Sequence, residues 1–266
     1  MTLPAVTPEQ QDYTSVSELS GYRVTKDQLV RMFTRYMFAS DLCTDRDVLE
    51  VACGSGQGLG LVARRAKSVR GGDFDPAIVA LATQHYGDRI SVQQMDAHSI
   101  PLDSGSLDAI ILFEAIYYLR DPHLFVREAK RLLRKNGILL VGSVNTEWAG
   151  FNPSPFSHRY FSASELAHLL QGEGFQTELF ADCFVGEGGL KSRVVEWLKE
   201  VAVRFHLIPK TMKGKEVLKR IFMGRLQHLP AELEEGLMSY LPPVPVSVEA
   251  PVKNYKVVFV LGRINQ

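Results

Sequence analysis

Cysteine is scarce in this 266-residue chain: Cys43, Cys53 and Cys183 stand far apart, and no CxxC pair occurs. An odd, scattered set argues against a disulfide framework or a zinc site and fits a reducing compartment. No metal is expected. Net charge is lacking too, since 30 Lys and Arg match 30 Asp and Glu. Whole-chain electrostatics therefore give no reason to expect a nucleic-acid partner. No uncharged apolar run reaches the ~18 residues of a membrane span. The opening MTLPAVTPEQQDYTS has no basic head followed by an apolar stretch, so it does not read as a secretory leader. Internal repeats and low-complexity tracts are missing. With 45% apolar and 23% charged residues, near globular averages, the expectation is a cytoplasmic globular domain.

What is present is order. Residues 1–25 are polar and patternless, expected to be a flexible N-terminal arm. Thr25 and Gln28 then take a capping-box spacing, and Leu29, Met32, Phe33, Tyr36 and Met37 mark one face of an amphipathic helix. From Asp47, short apolar strands alternate with helical segments. DVLEVA, SVRGGD, ISVQQM, LDAIILFE and ILLVGSVN read as strands. LGLVARRAK, PAIVALATQHYG and HLFVREAKRLLRK read as helices, the second opened by Pro76 and the third closed by Asn136 and Gly137. Strands apolar almost throughout imply a parallel sheet covered on both faces. Past Asn145 come a loop rich in Pro, Asn and Ser, a capped helix SASELAHLLQGEG and a strand FQTELFADCF. Residues 186–250 are expected to form a helical insertion before a last strand, YKVVFVLGRI. The expected organisation is one domain over residues 26–266, with the insertion between its last two strands.

The stretch EVACGSGQG, Glu50 to Gly58, ends the first of these strands in alternating glycines. In an open α/β sheet, ligands sit beyond the carboxyl ends of the strands, where strand order reverses. Gly54 and Gly56 lack Cβ and accept positive φ, so the chain can turn sharply beneath a ligand. A dinucleotide site needs G-x-G-x-x-G, and counting from Gly54 puts Leu59 at the third glycine. Glu50 would also set a negative charge near a pyrophosphate, which is costly in a low-dielectric crevice. An acidic residue beside the turn suits a cationic nucleoside better. The alternative is that Glu50 braces the loop by accepting its backbone N–H groups.

From Asp47 to Asn145 the chain resembles the class I S-adenosylmethionine-dependent methyltransferases, specifically their broad small-molecule (type 11) group. VLEVACGSG is similar to that family's first motif, with Ala52 in place of its usual first glycine. GGDFD is similar to its second motif, and QQMDAHSIPLDSGSLDAIILFEAIYYL to its third and fourth. The resemblance implies a Rossmann-like α/β fold: a seven-stranded, mostly parallel sheet with an antiparallel last strand and helices on both faces. It implies S-adenosyl-L-methionine as cofactor, held by Glu50, Ala52, Gly54, Ser55, Gly56, Asp73, Phe74, Asp96, Ala97 and Phe113. Asp73, seventeen residues beyond Gly56, would take both ribose hydroxyls, with two acceptor oxygens matched to two donors. Asp75, before Pro76, reads as a helix cap instead. Asp96 would accept from the adenine amino group and the Ala97 N–H would reach a ring nitrogen, with Phe74 and Met95 packing on the ring. Phe113 and Glu114 would lie near the methionyl part.

The implied reaction is transfer of a methyl group to an O or N atom of a small-molecule acceptor, a saccharide or lipid-linked metabolite among the candidates. Candidate catalytic residues are His158, Tyr117 and Glu114, with Tyr118, Tyr160, Asn145, His123 and His98 as further options. His158 is favoured as a base because its loop is long, polar and adjacent to the site. Residues 204–225 carry seven Lys or Arg against one Glu. They read as a solvated cationic face, or as a contact for an anionic substrate or membrane surface. Rival readings are an NAD(P)-dependent oxidoreductase, a nucleic-acid methyltransferase and a non-catalytic cofactor-binding scaffold.

Overall fold

The structure, a computed structural model, describes residues 17–154, 156–185 and 226–264. Residues 17–25 depart from the expected arm. Leu19 and Val24 are buried, and β1 (Arg23–Val24) pairs antiparallel with Gln227 and His228. Residues 1–16 of that arm lie outside the described residues. The capping box expected at Thr25 opens α1 (Lys26–Leu42): the Gln28 N–H donates to the Thr25 hydroxyl at 3.2 Å, and the Thr25 N–H to the Gln28 side chain at 3.1 Å.

The alternation follows as β2 (Asp47–Val51), α2 (Leu59–Ala63), β3 (Ser68–Asp73), α3 (Pro76–Tyr86), β4 (Ser91–Gln94), β5 (Leu107–Phe113), α4 (Pro122–Leu132) and β6 (Leu133–Val144). Then come α5 (Ala163–Gly172), β7 (Gln176–Phe184), β8 (Gln227–His228), β9 (Val244–Val246) and β10 (Tyr255–Arg263). Asp75, Asp121 and Ser162 each cap the helix they precede, giving orphan N–H groups an acceptor.

Eight strands form the main sheet, in the order β4-β3-β2-β5-β6-β10-β7-β9. The pairs from β4 to β6 are parallel, and β10 runs antiparallel between β6 and β7. One strand exceeds the seven expected: β9 adds to β7 at the edge, where the missing N–H of Pro245 is tolerated. The expected helix closure at Asn136 and Gly137 is also replaced. The helix stops at Leu132, and β6 begins at Leu133, which pairs with Leu107 before the register shifts. Asn136 takes φ +61° inside that irregularity. The helical insertion expected over 186–250 falls mostly on residues outside the description. Its described part, 226–250, contains β8, turns and β9 and no helix, as Pro230, Pro242, Pro243 and Pro245 would impose.

Alternating side chains divide the interior in two. Ile110, Leu112, Leu139, Val141, Val258 and Val260 pack under α4 and α5. Ala109, Ile111, Phe113, Ile138, Leu140 and Phe259 pack under α1, α2 and Tyr86 of α3. Helices on both faces leave the strand ends as the place where a cavity can open. After β2 the chain builds outward to β3 and β4, then returns to place β5 on the other side of β2. The reversal lies between the carboxyl ends of β2 and β5, where the glycine turn sits.

Candidate active site

A cavity of about 500 Å³ opens at that reversal. Its floor comes from the turns after β2, β3 and β5, one wall from α1, and another from Tyr117, Tyr118, Asn152, Ser154, His158 and Tyr160. Fourteen candidate site residues named from the sequence meet on it: Ala52, Gly54, Asp73, Phe74, Met95, Asp96, Ala97, His98, Phe113, Glu114, Tyr117, Tyr118, His158 and Tyr160.

The turn after β2 needs unusual backbone. Ala52, Gly54 and Gly56 have φ of +56°, +59° and +82°. The Gly54 N–H donates to Asp73 Oδ2 at 2.9 Å, joining the turn to the end of β3. The Asp75 N–H takes Asp73 Oδ1 at 3.1 Å. A carboxylate has about four lone-pair sites, so with the Gly54, Asp75 and Phe74 N–H groups on it, Asp73 keeps one for a ligand. Burial raises the Asp73 carboxyl above its ordinary value, against the N–H groups of Asp75, Gly54 and Phe74. Asp96 is the counterpart beyond β4. The His98 N–H and ring Nδ1 reach Asp96 Oδ1 at 2.9 and 2.6 Å, and Oδ2 has no hydrogen-bond partner among the described residues. His98 Nε2 accepts the Asp121 N–H at 3.3 Å, which places the ring proton on Nδ1. Burial works to raise Asp96, but the His98 backbone and ring outweigh it and hold the carboxyl low.

Three expected cofactor contacts are not on the cavity wall: Glu50, Ser55 and Gly56. Glu50 is 1% exposed. It points beneath the turn, where Tyr36 Oη donates to its Oε1 at 2.7 Å, and its Oε2 has no partner among the described residues. Burial pushes it up to about 8, although Tyr36 and Arg35 oppose the rise. Neither reading of Glu50 from sequence anticipated Tyr36 as its donor. Ser55 Oγ accepts the Ser20 N–H at 3.3 Å, tying down the segment before β1. Gly56 serves packing: a Cβ there would lie 2.8 Å from the Tyr86 ring, whose hydroxyl donates to the Gly56 carbonyl at 2.6 Å.

At the other end, Glu114 takes φ +52° immediately after β5. Tyr117 Oη donates to its Oε2 at 3.0 Å, and Arg35 stands 4.0 Å from its Oε1. Burial raises the Glu114 carboxyl, opposed by Arg35 and Tyr117. Tyr117 stacks on Tyr160 with centroids 4.4 Å apart. Ser154 joins this wall through the Tyr118 hydroxyl and the Tyr160 hydroxyl, at 2.6 and 2.7 Å. His158 is exposed at the rim. Its backbone N–H donates to the Tyr117 carbonyl at 2.8 Å; its ring has no hydrogen-bond partner among the described residues. Asn145 is buried, its side chain donating to the Val252 and Tyr255 carbonyls. His123 is exposed and meets Glu173, away from the cavity.

Sequence reasoning missed α1 as a wall. Gln28, Arg31, Met32, Arg35 and Tyr36 all face the cavity, joined by Glu18 from the segment before β1. The available signal was Arg35, a charge set beside the apolar stripe that includes Met32 and Tyr36. Residues 204–225 lie outside the described residues. No described helix is long and apolar enough to cross a membrane.

The family described as "methyltransferase domain" matches residues 49–141, from β2 into β6. The chain is 36% identical over 159 residues to a probable S-adenosylmethionine-dependent methyltransferase of Mycolicibacterium smegmatis, covering 58% of this chain and 61% of the relative. The chain thus spans about three fifths of the length of that curated relative, about 61%. Among solved structures, an S-adenosylmethionine-dependent methyltransferase of Thermotoga maritima is similar with TM-score 0.56 and 16% identity, covering 88% of this chain and 89% of that one. The [4+2]-cyclase SpnF is similar with TM-score 0.58 and 20% identity, covering 94% and 88%. The fold is therefore the Rossmann-like fold of class I methyltransferases. The cyclase shows that this fold also serves other chemistry.

Proposed function

With a methyltransferase domain at residues 49–141 as the premise, we propose that the chain binds S-adenosyl-L-methionine in this cavity and methylates an O or N atom of a small-molecule acceptor. The observation that carries the reading is the convergence of Gly54, Asp73 and Asp96 on one cavity of about 500 Å³. The donor set fits the cofactor. Asp73 keeps an acceptor site for a ribose hydroxyl, Asp96 Oδ2 has no hydrogen-bond partner among the described residues and can meet an exocyclic amine, and Phe74 and Met95 supply apolar surface between them. A phosphate would meet Asp73, Asp96 and Glu114 on the wall and no glycine at the third position of a dinucleotide turn, which disfavours the oxidoreductase reading.

When bound, the cofactor supplies an electrophilic methyl group; the chain supplies alignment and a dry site. Asp73 and Asp96 fix the nucleoside end. Tyr117, Tyr118 and Tyr160 form the aromatic wall beside the acceptor, suited to a saccharide or lipid-linked metabolite. Glu114 is the base of this reading, in preference to His158. Its carboxylate lies on the wall, its pKa is raised, and Tyr117 orients it. It takes the proton of the acceptor hydroxyl, directly or through the Tyr117 hydroxyl. Calorimetry with S-adenosylmethionine, S-adenosylhomocysteine and NADH tests the assignment. Binding of the two sulfur nucleosides that weakens at least tenfold in Asp73→Ala is expected. NADH binding without either of them would overturn it.

A further inference from the structure

The two acids that face the nucleoside are held in different ways. Asp73 is buried and gripped by the N–H groups of Gly54, Phe74 and Asp75. The Asp96 side chain is 41% exposed, and among the described residues one backbone N–H, that of His98, reaches it. An aspartate held by one bond can turn about its side-chain torsions and lose the orientation a ligand needs. The second hold is the His98 ring, whose Nδ1 lies 2.6 Å from Asp96 Oδ1. Arg120 lines the same cavity and acts on Asp96 through its charge, without a hydrogen bond.

The His98 side chain is 15% exposed and is itself fixed from the far side. The Asp121 N–H donates to its Nε2 at 3.3 Å, and Asp121 caps α4 by accepting the Leu124 N–H at 3.0 Å. Further along, α4 grips the same loop again. The Ile100 N–H donates to Glu128 Oε1 at 2.8 Å, and Arg131 donates to the Ile100 carbonyl at 3.1 Å. The ring is therefore held by a helix packed on the sheet as well as by the turn it serves. With Nε2 accepting, the neutral ring carries its proton on Nδ1 and donates to Asp96. Backbone and ring together fill the two lone pairs of Oδ1, so Oδ2 is the acceptor offered to the cavity.

We propose that His98 is a positioning residue for recognition of the nucleobase: its Nδ1–H locks Asp96 so that Oδ2 meets the 6-amino group. The proposal rests on the preceding reading of the site. The competing role is a purely structural one, in which the ring ties the turn to α4 through Nε2. The two ring nitrogens can be tested apart. In His98→Asn the amide nitrogen falls near the place of Nδ1 and keeps the bond to Asp96, while the acceptor for Asp121 is lost. In His98→Gln the amide oxygen reaches the place of Nε2 and keeps the bond from Asp121, while the donor to Asp96 is lost.

Calorimetry on the full chain reads the contact, using S-adenosylhomocysteine and its analogue with unsubstituted purine in place of adenine. The analogue keeps the ring nitrogens and lacks only the 6-amino group. The wild type should prefer the adenine compound on the order of 10-fold, as for one hydrogen bond to a charged, partly solvated acceptor. His98→Asn should keep that preference, and His98→Gln should lower it by about threefold or more. A structural tie alone would give the reverse order, with Gln the better substitute, or leave the preference unchanged in both. A preference in the Gln variant equal to or above that in the Asn variant therefore overturns the proposal. Should either variant fail to fold, His98→Ala stands in for Gln and the wild type for Asn, and the same comparison decides. A wild type indifferent to the 6-amino group overturns the proposal and leaves the cofactor reading intact. A wild type that binds neither compound sinks that reading, and this one with it.

Discussion

Replacing Glu50 by Gln should make the protein more resistant to rising pH. The folded carboxyl sits at about 8 against an ordinary 4.5, driven up mainly by burial. Between those values the folded chain holds a proton that the unfolded chain has released, so wild-type stability falls as pH climbs through the window. Each pH unit costs about 1.4 kcal/mol, giving a loss of roughly 3 kcal/mol by pH 7 and about 5 near pH 8. Gln has nearly the same shape, still accepts from Tyr36, and does not ionise. Its amide nitrogen falls where Glu50 Oε2 finds no partner among the described residues, at a cost of about 1 kcal/mol. The variant should therefore be slightly less stable than wild type at pH 5 and several kcal/mol more stable at pH 8. Urea denaturation of both proteins at half-unit steps from pH 5 to 8.5 measures the difference directly, because other titrating groups cancel. A stability difference that does not change with pH would refute the reasoning.

Three further outcomes follow from the geometry. Gly56→Ala combines φ +82° with a Cβ 2.8 Å from the Tyr86 ring; it should lose about 2–4 kcal/mol of stability, read from the denaturation midpoint. Glu114→Gln should cut turnover by about 10²- to 10⁴-fold while cofactor affinity by calorimetry changes little. The wild-type rate should climb with pH along a limb placed above the ordinary carboxylate range, since the base acts ionised and burial raises it; the variant should lack that limb. His158→Ala should fall well short of the ~100-fold loss that removing a base entails, because its contact with Tyr117 runs through the backbone N–H; a vanished pH limb in that variant would return the base to His158.

Much of the architecture was legible because local chemistry and tertiary need agree. Thr25, Asp75 and Ser162 each announce a helix through a side chain that can accept backbone N–H groups, and the helices begin there. The apolar runs from DVLEV to ILLV read as doubly covered strands and became β2 to β6. The helix boundary at Asn136 and Gly137 misled because a left-handed Asn also serves a strand irregularity; only pairing with Leu107 distinguishes the two. Residues 226–250 misled because their relation to β1, β7 and the glycine turn is long-range. The Leu233 N–H donates to the Gln57 carbonyl at 2.7 Å, a bond no local pattern announces.

By itself the sequence determined the order of strands and helices, the glycine turn and the identity of the acids after β3 and β4, since these depend on neighbours a few residues apart. Tertiary structure alone decided which way those groups face. It turned Glu50 away from the cavity onto Tyr36, brought Glu114 within reach of Tyr117, and set Arg35 between two glutamates from distant parts of the chain. The physical reason is that direction, burial and charge balance are properties of the assembled interior, where each side chain answers to partners that sequence distance conceals.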